Sequence, residues 1–171
     1  MRYIFHIATW CGILFPLLAF GQSEANNAED EAVAMTKQIY RAVSSEAHSE
    51  VNWDSVRSFF IEEAVIVLRT SRNTTEQFTL DGFIQDFKDF YKDPEVRESG
   101  FKEEVLKVKS HVYHDVAFIG IVYAASIPDS GRPPQRGVDF WLLGRKNGSW
   151  KVVAVTNELI PPGDAFPEMF E

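Results

Sequence analysis

The stretch Arg145-Lys146-Asn147-Gly148-Ser149-Trp150-Lys151-Val152 decides how this chain folds. Asn-Gly between two apolar runs is the strongest short-range signal of a β-hairpin, because a type I′ turn holds both central residues at φ > 0. With Asn147 and Gly148 in those places, Lys146 pairs with Ser149 and Leu143 with Val152. Counting further outward sets Trp141 opposite Ala154 and Asp139 opposite Thr156. Side chains alternate along a strand, so Asp139, Trp141, Leu143, Trp150, Val152, Ala154 and Thr156 are expected on one face. Val138, Phe140, Leu142, Val153, Val155 and Asn157 fall on the other. Both faces are apolar, which one-sided antiparallel sheets usually are not, so each needs a cover.

Three apolar segments in a row fill residues 116–158 and read as an antiparallel meander. A strand over 101–112 precedes it, joined by a turn at His114-Asp115. The loop Pro128-Asp129-Ser130-Gly131-Arg132-Pro133-Pro134 leads into the last two strands. Nearer the start, Ala32, Met35, Ile39 and Val43 recur at helical spacing, with Tyr40 widening the stripe and Asn27 as the expected cap. Asn52 caps a short second helix that turns Trp53, Val56, Phe59 and Phe60 inward. A β-branched strand over 64–68, a loop over 71–76 and a brief strand over 77–80 follow. A third helix over 81–92 buries Phe83, Ile84, Phe87, Phe90 and Tyr91, and Asp93-Pro94 stops it.

The chain has 171 residues, 45% of them hydrophobic and 13% aromatic, enough for one domain with a sizeable core. The formal net charge of −8, with no clustered Lys or Arg, argues against a nucleic-acid or anionic-membrane partner. Residues 1–21 have the pattern of a secretory signal peptide: Arg2, an apolar run over 7–20, and small residues Ala19 and Gly21 before Gln22. The run is shorter than the roughly 20 residues of a membrane-spanning helix, the retained anchor being the competing reading. The single cysteine, Cys11, lies in this leader. The expected mature protein is therefore exported to the periplasm or the exterior, carries no disulfide and touches no membrane after cleavage. Residues 22–160 form the expected domain and 161–171 a C-terminal tail.

The order of these elements resembles the nuclear-transport-factor-two-like superfamily, closest to its polyketide-cyclase-like and ketosteroid-isomerase-like branches. The resemblance rests on Asn52-Trp53-Asp54 through Phe60, Glu63-Ala64-Val65-Ile66-Val67, Asp81-Gly82-Phe83-Ile84, His114-Asp115-Val116-Ala117-Phe118-Ile119 and Gly148-Ser149-Trp150-Lys151-Val152-Val153. It covers residues 28–160. It implies an α+β fold, a curved and mostly antiparallel sheet wrapped around three N-terminal helices as a cone-shaped, cystatin-like roll. It also implies a pocket in the cone; enzymes of this kind use an Asp or His base with a Tyr or Asp that holds an oxyanion. Fold alone does not choose among isomerases, dehydratases, cyclases and binders.

Asp139 is the candidate base, because a carboxylate among Trp141, Leu143 and Trp150 has its charged form disfavoured. If residue 126 pairs with 136, Tyr123 lies opposite Asp139 and can donate to an oxyanion. The competing reading has Asp139 hydrated at the sheet rim, paired with Arg136 or Arg145. Trp53, Tyr91, Trp141 and Thr156 are the candidate ligand contacts. His111 and His114 fall on opposite faces of a strand end with no third ligand in step, so no metal is expected. No phosphate-cradling loop or Gly-x-Ser-x-Gly elbow occurs, and no cofactor is expected. The expected function is exported binding of a small apolar or aromatic molecule. The alternatives are an isomerase- or dehydratase-type enzyme using Asp139 and Tyr123, and a structural dimeric partner. A homodimer through the second apolar sheet face is the first expected cover for it, with the tail around Phe166 and Phe170 as competitor.

Overall fold

The computed structural model describes the backbone of residues 18–171 and side chains from Asn27 onward; the expected leader therefore falls almost wholly outside the described residues. Helix α1 (Leu18–Val43) is followed by α2 (Trp53–Ser58), β1 (Phe60–Ser71), β2 (Thr74–Phe78), α3 (Leu80–Phe90) and α4 (Pro94–Ser99). Four long strands follow: β3 (Lys102–Tyr113), β4 (Val116–Ser126), β5 (Gln135–Lys146) and β6 (Ser149–Ile160). The sheet runs β2-β1-β6-β5-β4-β3, antiparallel except where β1 lies parallel to β6. Helices α1 and α3 pack on one face of it. This is the α+β arrangement expected.

Local chemistry accounts for most boundaries. Asn52 accepts from the Ser55 N–H at 3.0 Å and caps α2; Thr79 caps α3 through the Gly82 N–H at 3.1 Å, two residues before the expected start at Asp81. Asp93-Pro94 ends α3 as expected but also begins α4, with Asp93 accepting from the Glu95 N–H and proline in the first turn, where its missing N–H costs nothing. Asn27 is no cap: α1 continues through it, and its amide donates to Glu31 at 3.1 Å. Strand β1 starts four residues before the expected 64, and β2 three before the expected 77.

The turn at Asn147 (φ 52°) and Gly148 (φ 78°) is type I′ in handedness, and it pairs Lys146 with Ser149 and Leu143 with Val152. Beyond that the ladder slips. Leu142 pairs with Ala154, leaving Val153 as an extra residue in β6, a β-bulge. From there on every β6 side chain changes face relative to the uniform count. Trp141 meets Val155, and Asp139 meets Asn157. Val155 and Asn157, expected on the outer face, thus join Asp139, Trp141, Leu143, Trp150 and Val152 inside. Ala154 and Thr156 move outward, and Thr156 is exposed.

The inner face carries the main core, where Ile66, Ile119, Ile121, Leu143 and Val152 are each 0% exposed. Burial of such side chains supplies about 1.5–3 kcal/mol apiece. A second, smaller core lies on the outer face: Val122, Val138, Ile160 and Phe170, flanked by Phe140 and Phe166. The tail, weighed as the competitor for this face, takes that end of it. Phe170 lies against Gly120, where a Cβ would stand 3.0 Å from its ring, and its carbonyl accepts from Lys107 at 3.1 Å. Lys107 and Arg136 each sit 5.4 Å from the Phe166 ring centre. Leu142, Val116 and Val65 stay exposed beyond the reach of the tail. Phe170→Ala should lower unfolding free energy by about 3 kcal/mol in urea titration, as expected for deleting a buried ring; a loss under about 0.5 kcal/mol would mean the tail does not seal this face.

Candidate functional site

Asp139 projects from the middle of β5 into the hollow between the inner sheet face and the helices, and is only 8% exposed. Helix α1 brings Tyr40 over it. The Tyr40 hydroxyl donates to Asp139 Oδ2 and itself accepts from the Trp141 indole Nε1–H at 3.1 Å. Tyr40 and Trp141 meet edge to face with centroids 6.0 Å apart. A buried tyrosine or tryptophan generally finds a polar partner, and here each supplies the other's. Among the described residues no cation pairs with Asp139. Arg136 donates to the carbonyls of Pro161 and Asp164, while Arg145 bridges Glu31 and Asp115 and covers the Trp150 ring at 4.6 Å. The rim position paired with an arginine is therefore not the one Asp139 occupies.

Tyr123 of β4 faces the same hollow, although β4 and β5 pair two residues away from the expected count: Tyr123 lies opposite Gly137, and Asp139 opposite Ile121. The even offset keeps its face. Gly137 is what lets it fit, because a Cβ there would lie 2.5 Å from the phenol oxygen. Tyr40 and Tyr123 stand 6.0 Å apart. From β3 comes Glu103, whose backbone N–H is held by the Ser44 hydroxyl at 2.9 Å. From β6 comes Asn157, its side-chain oxygen fixed by the Arg69 backbone N–H at 2.6 Å.

These groups line a chamber of about 250 Å³ walled by Phe78, Phe83, Phe87 and Val155. Arg69, Thr70, Asp86 and Phe87 are shared with a wider cavity of about 500 Å³ that reaches the β4–β5 loop at Ser130 and Arg132. That cavity forms the chamber's mouth. Arg132 is tied to Glu95 of α4, which holds the loop in place.

The contacts expected from sequence divide. Asp139, Tyr123 and Trp141 converge on the chamber. Trp53 and Tyr91 do not: they meet edge to face at 5.6 Å in a separate cleft of about 450 Å³ beside α4, where the Tyr91 hydroxyl donates to the Val43 carbonyl. Thr156 is on the far side of the sheet because of the bulge, and Asn157 takes its place. Tyr40, Glu103 and Asn157 were not singled out from sequence. Tyr40 had a usable signal, a hydroxyl on the apolar stripe of α1 that needs a buried partner. Glu103 was hidden in the charged run Lys102-Glu103-Glu104, and nothing local marks the bulge that turns Asn157 inward.

Burial pushes the Asp139 carboxyl up to about 7, opposed by the hydrogen bond from Tyr40. Glu103 is pushed up to about 8, by burial first and then by the charge of Asp139. It keeps some exposure toward the cleft behind it, so water softens its shift more than that of Asp139. Tyr40 and Tyr123 are both raised, chiefly by burial and then by Asp139. Both carboxyls hold protons more tightly folded than unfolded, so stability is full at about pH 4 and falls as pH rises through about 7 to 8. Asp139→Asn removes up to about 4 kcal/mol of that loss, each tenfold change in proton affinity being worth about 1.4 kcal/mol. Melting curves at about pH 4 and pH 9 should show the variant gaining only at the higher pH; equal effects at both would contradict a buried, raised carboxyl.

No family model matches this chain, and no curated protein matches it either. Solved structures do. An NTF2-like protein with a cystatin-like fold from Novosphingobium aromaticivorans superposes with TM-score 0.66 at 13% identity, over 90% of this chain and 95% of that one. An NTF2-like protein of unknown function from Pseudomonas putida gives 0.64 at 12% identity, over 85% and 93%. A second Novosphingobium aromaticivorans protein, provisionally named a scytalone dehydratase, gives 0.61 at 14%, over 84% and 99%. At such identities the likeness is one of architecture: this chain has the cystatin-like fold of the NTF2-like proteins.

Proposed function

We propose that the chamber binds one small, largely apolar or aromatic molecule, whose polar end meets Asp139, Tyr40 and Tyr123. The observation that supports this is a mouth leading into an aromatic-walled space of about 250 Å³ that ends on a few convergent polar groups. Asp139 Oδ2 is taken by Tyr40, but Oδ1 has no hydrogen-bond partner among the described residues and is free to meet a ligand. The phenols and carboxyls present need no metal or organic cofactor to do this.

A second reading, proton transfer of the isomerase or dehydratase kind, is favoured by the Asp139 carboxyl standing near neutral pH. A general base works best when its pKa lies close to the operating pH. In that reading Asp139 moves the proton, Tyr40 orients the carboxylate, and Tyr123 donates to the developing oxyanion. The provisional dehydratase name of one structural neighbour agrees with this reading without carrying it.

Thermal-shift and native mass-spectrometric screening of small aromatic compounds should give hits that the Gly137→Val variant loses, because a Cβ at 137 overlaps the Tyr123 phenol that lines the chamber and forces it to move. Any hit should then be tested for turnover. Asp139→Asn abolishing turnover with the fold intact, and Tyr123→Phe slowing it on the order of a hundredfold, identify the enzyme reading; binding without turnover leaves the binding module. We further propose that the protein is exported, supported by the leader pattern over residues 1–21. Intact-mass measurement of the native protein should show a chain beginning at Gln22.

A further inference from the structure

Acidic groups outnumber basic ones in the chamber wall. Asp139 of β5 and Glu103 of β3 line its interior, and Asp86 of α3 stands where it meets the mouth. Arg69 of β1 is the single cation in the chamber wall among the described residues, and its guanidinium is already engaged. It lies 3.3 Å from Glu158, donates to the Arg72 carbonyl, and reaches Thr75 at 3.4 Å. Six rings make up much of the remaining wall: Tyr40, Tyr123 and Trp141 around the carboxyls, and Phe78, Phe83 and Phe87 beyond, with aliphatic side chains such as Ile39 and Val155 between them.

Asp139, 8% exposed, has Oδ1 unpartnered among the described residues, while the hydroxyl of Tyr123, 7% exposed, lies beside the Asn157 side chain. A neutral ligand leaves the two buried carboxyls holding their protons, and an anion opposes their ionisation. A cation offsets both carboxylates and sits against ring faces whose negative π-clouds attract it.

We infer that the chamber selects a small organic cation, an alkylated or protonated amine on an aromatic or compact aliphatic body, held between Asp139, Glu103 and the rings of Tyr40, Tyr123 and Trp141. This deepens the binding reading above and rests on it. Glu103 and Tyr40 also line a cleft of about 310 Å³ on the far side of the wall, among Lys37, Arg41 and Lys102. Glu103 therefore has solvent on that side to take up its proton when the cation arrives. Binding therefore releases protons below about pH 8 and strengthens as pH rises through the range in which Asp139 and Glu103 ionise. Tyr40 and Tyr123 stay protonated there, both being raised. Asp86 at the mouth is also raised, chiefly by burial and then by the charges of Glu76 and Asp89.

The test compares two molecules of one shape, phenyltrimethylammonium and tert-butylbenzene, the charge of the first being independent of pH. Isothermal titration of the full chain at about pH 8.5 should give about tenfold or tighter binding for the cation, the range that cation–π contacts with charge pairing supply. That advantage should shrink toward about pH 6, while the hydrocarbon stays level. The Trp141 indole N–H resonance should shift with either ligand. In the Glu103→Gln/Asp139→Asn double variant the preference should disappear; the pH dependence of the unmodified protein decides the matter if that variant does not fold. Equal or weaker binding of the cation, or cation binding that leaves Trp141 unmoved, overturns the inference, the first with the chamber reading intact. If neither molecule perturbs Trp141 or binds, both readings fall.

Discussion

The pairing of β5 with β6 is the constraint on which the chamber depends, and it has two parts. The Asn147-Gly148 turn locks Leu143 to Val152, which puts Trp150 and Val152 inside with Leu143, Trp141 and Asp139. Val153 then bulges out of register, so the far half of β6 presents Val155 and Asn157 to the hollow. A uniform ladder would have offered Ala154 and Thr156, a smaller residue and a hydroxyl in place of an amide. The bulge adds twist and bends the strand. It also leaves Asn157 where the Arg69 backbone N–H can hold it, which ties the floor of the chamber to the neighbouring parallel strand.

On that frame the fold places a costly group. A carboxyl that is 8% exposed, with one hydrogen bond and no counter-charge among the described residues, has lost most of its hydration. The molecule answers by letting Asp139 keep its proton to higher pH, and by running the chain of donors Trp141 to Tyr40 to Asp139. Tyr40 thereby links α1 to the sheet through a polar contact in the middle of an apolar interface. Such a contact fixes how the helix sits more narrowly than apolar packing alone, because a misplaced buried polar group is left unpaired. Glycine at 137 belongs to the same arrangement, since its missing side chain is the space that the Tyr123 ring fills.

Polar and apolar demands are separated across the sheet. The inner face holds the titratable groups and the large core, while the outer face has a smaller, wholly apolar core closed by Phe170 from the tail. The tail covers one end of the outer face, while the hollow lies on the inner face. The β4–β5 loop, tied to α4 by Arg132 and Glu95, shapes the entrance without entering the chamber.

Much of this was readable from the chain. The Asn-Gly turn, the alternation of Asp139, Trp141 and Leu143, and the helical stripe through Ile39, Tyr40 and Val43 are local patterns. Local patterns survive without tertiary knowledge because they follow from backbone sterics and side-chain spacing. They were sufficient for the antiparallel order of the meander and for which side chains of β5 share a face; the curved α+β roll came with the resemblance carried by the order of elements. The tertiary structure alone decided the rest. Whether β6 bulges depends on how β1, β5 and the core fit together, so Thr156 and Asn157 could not be told apart by counting. Which side chain meets Asp139 depends on a helix 99 residues earlier in the chain. That Trp53 and Tyr91 line a different cleft depends on the angle at which α3 and α4 close the cone. Residue spacing determines direction along one element; only packing determines which elements, and so which groups, share a space.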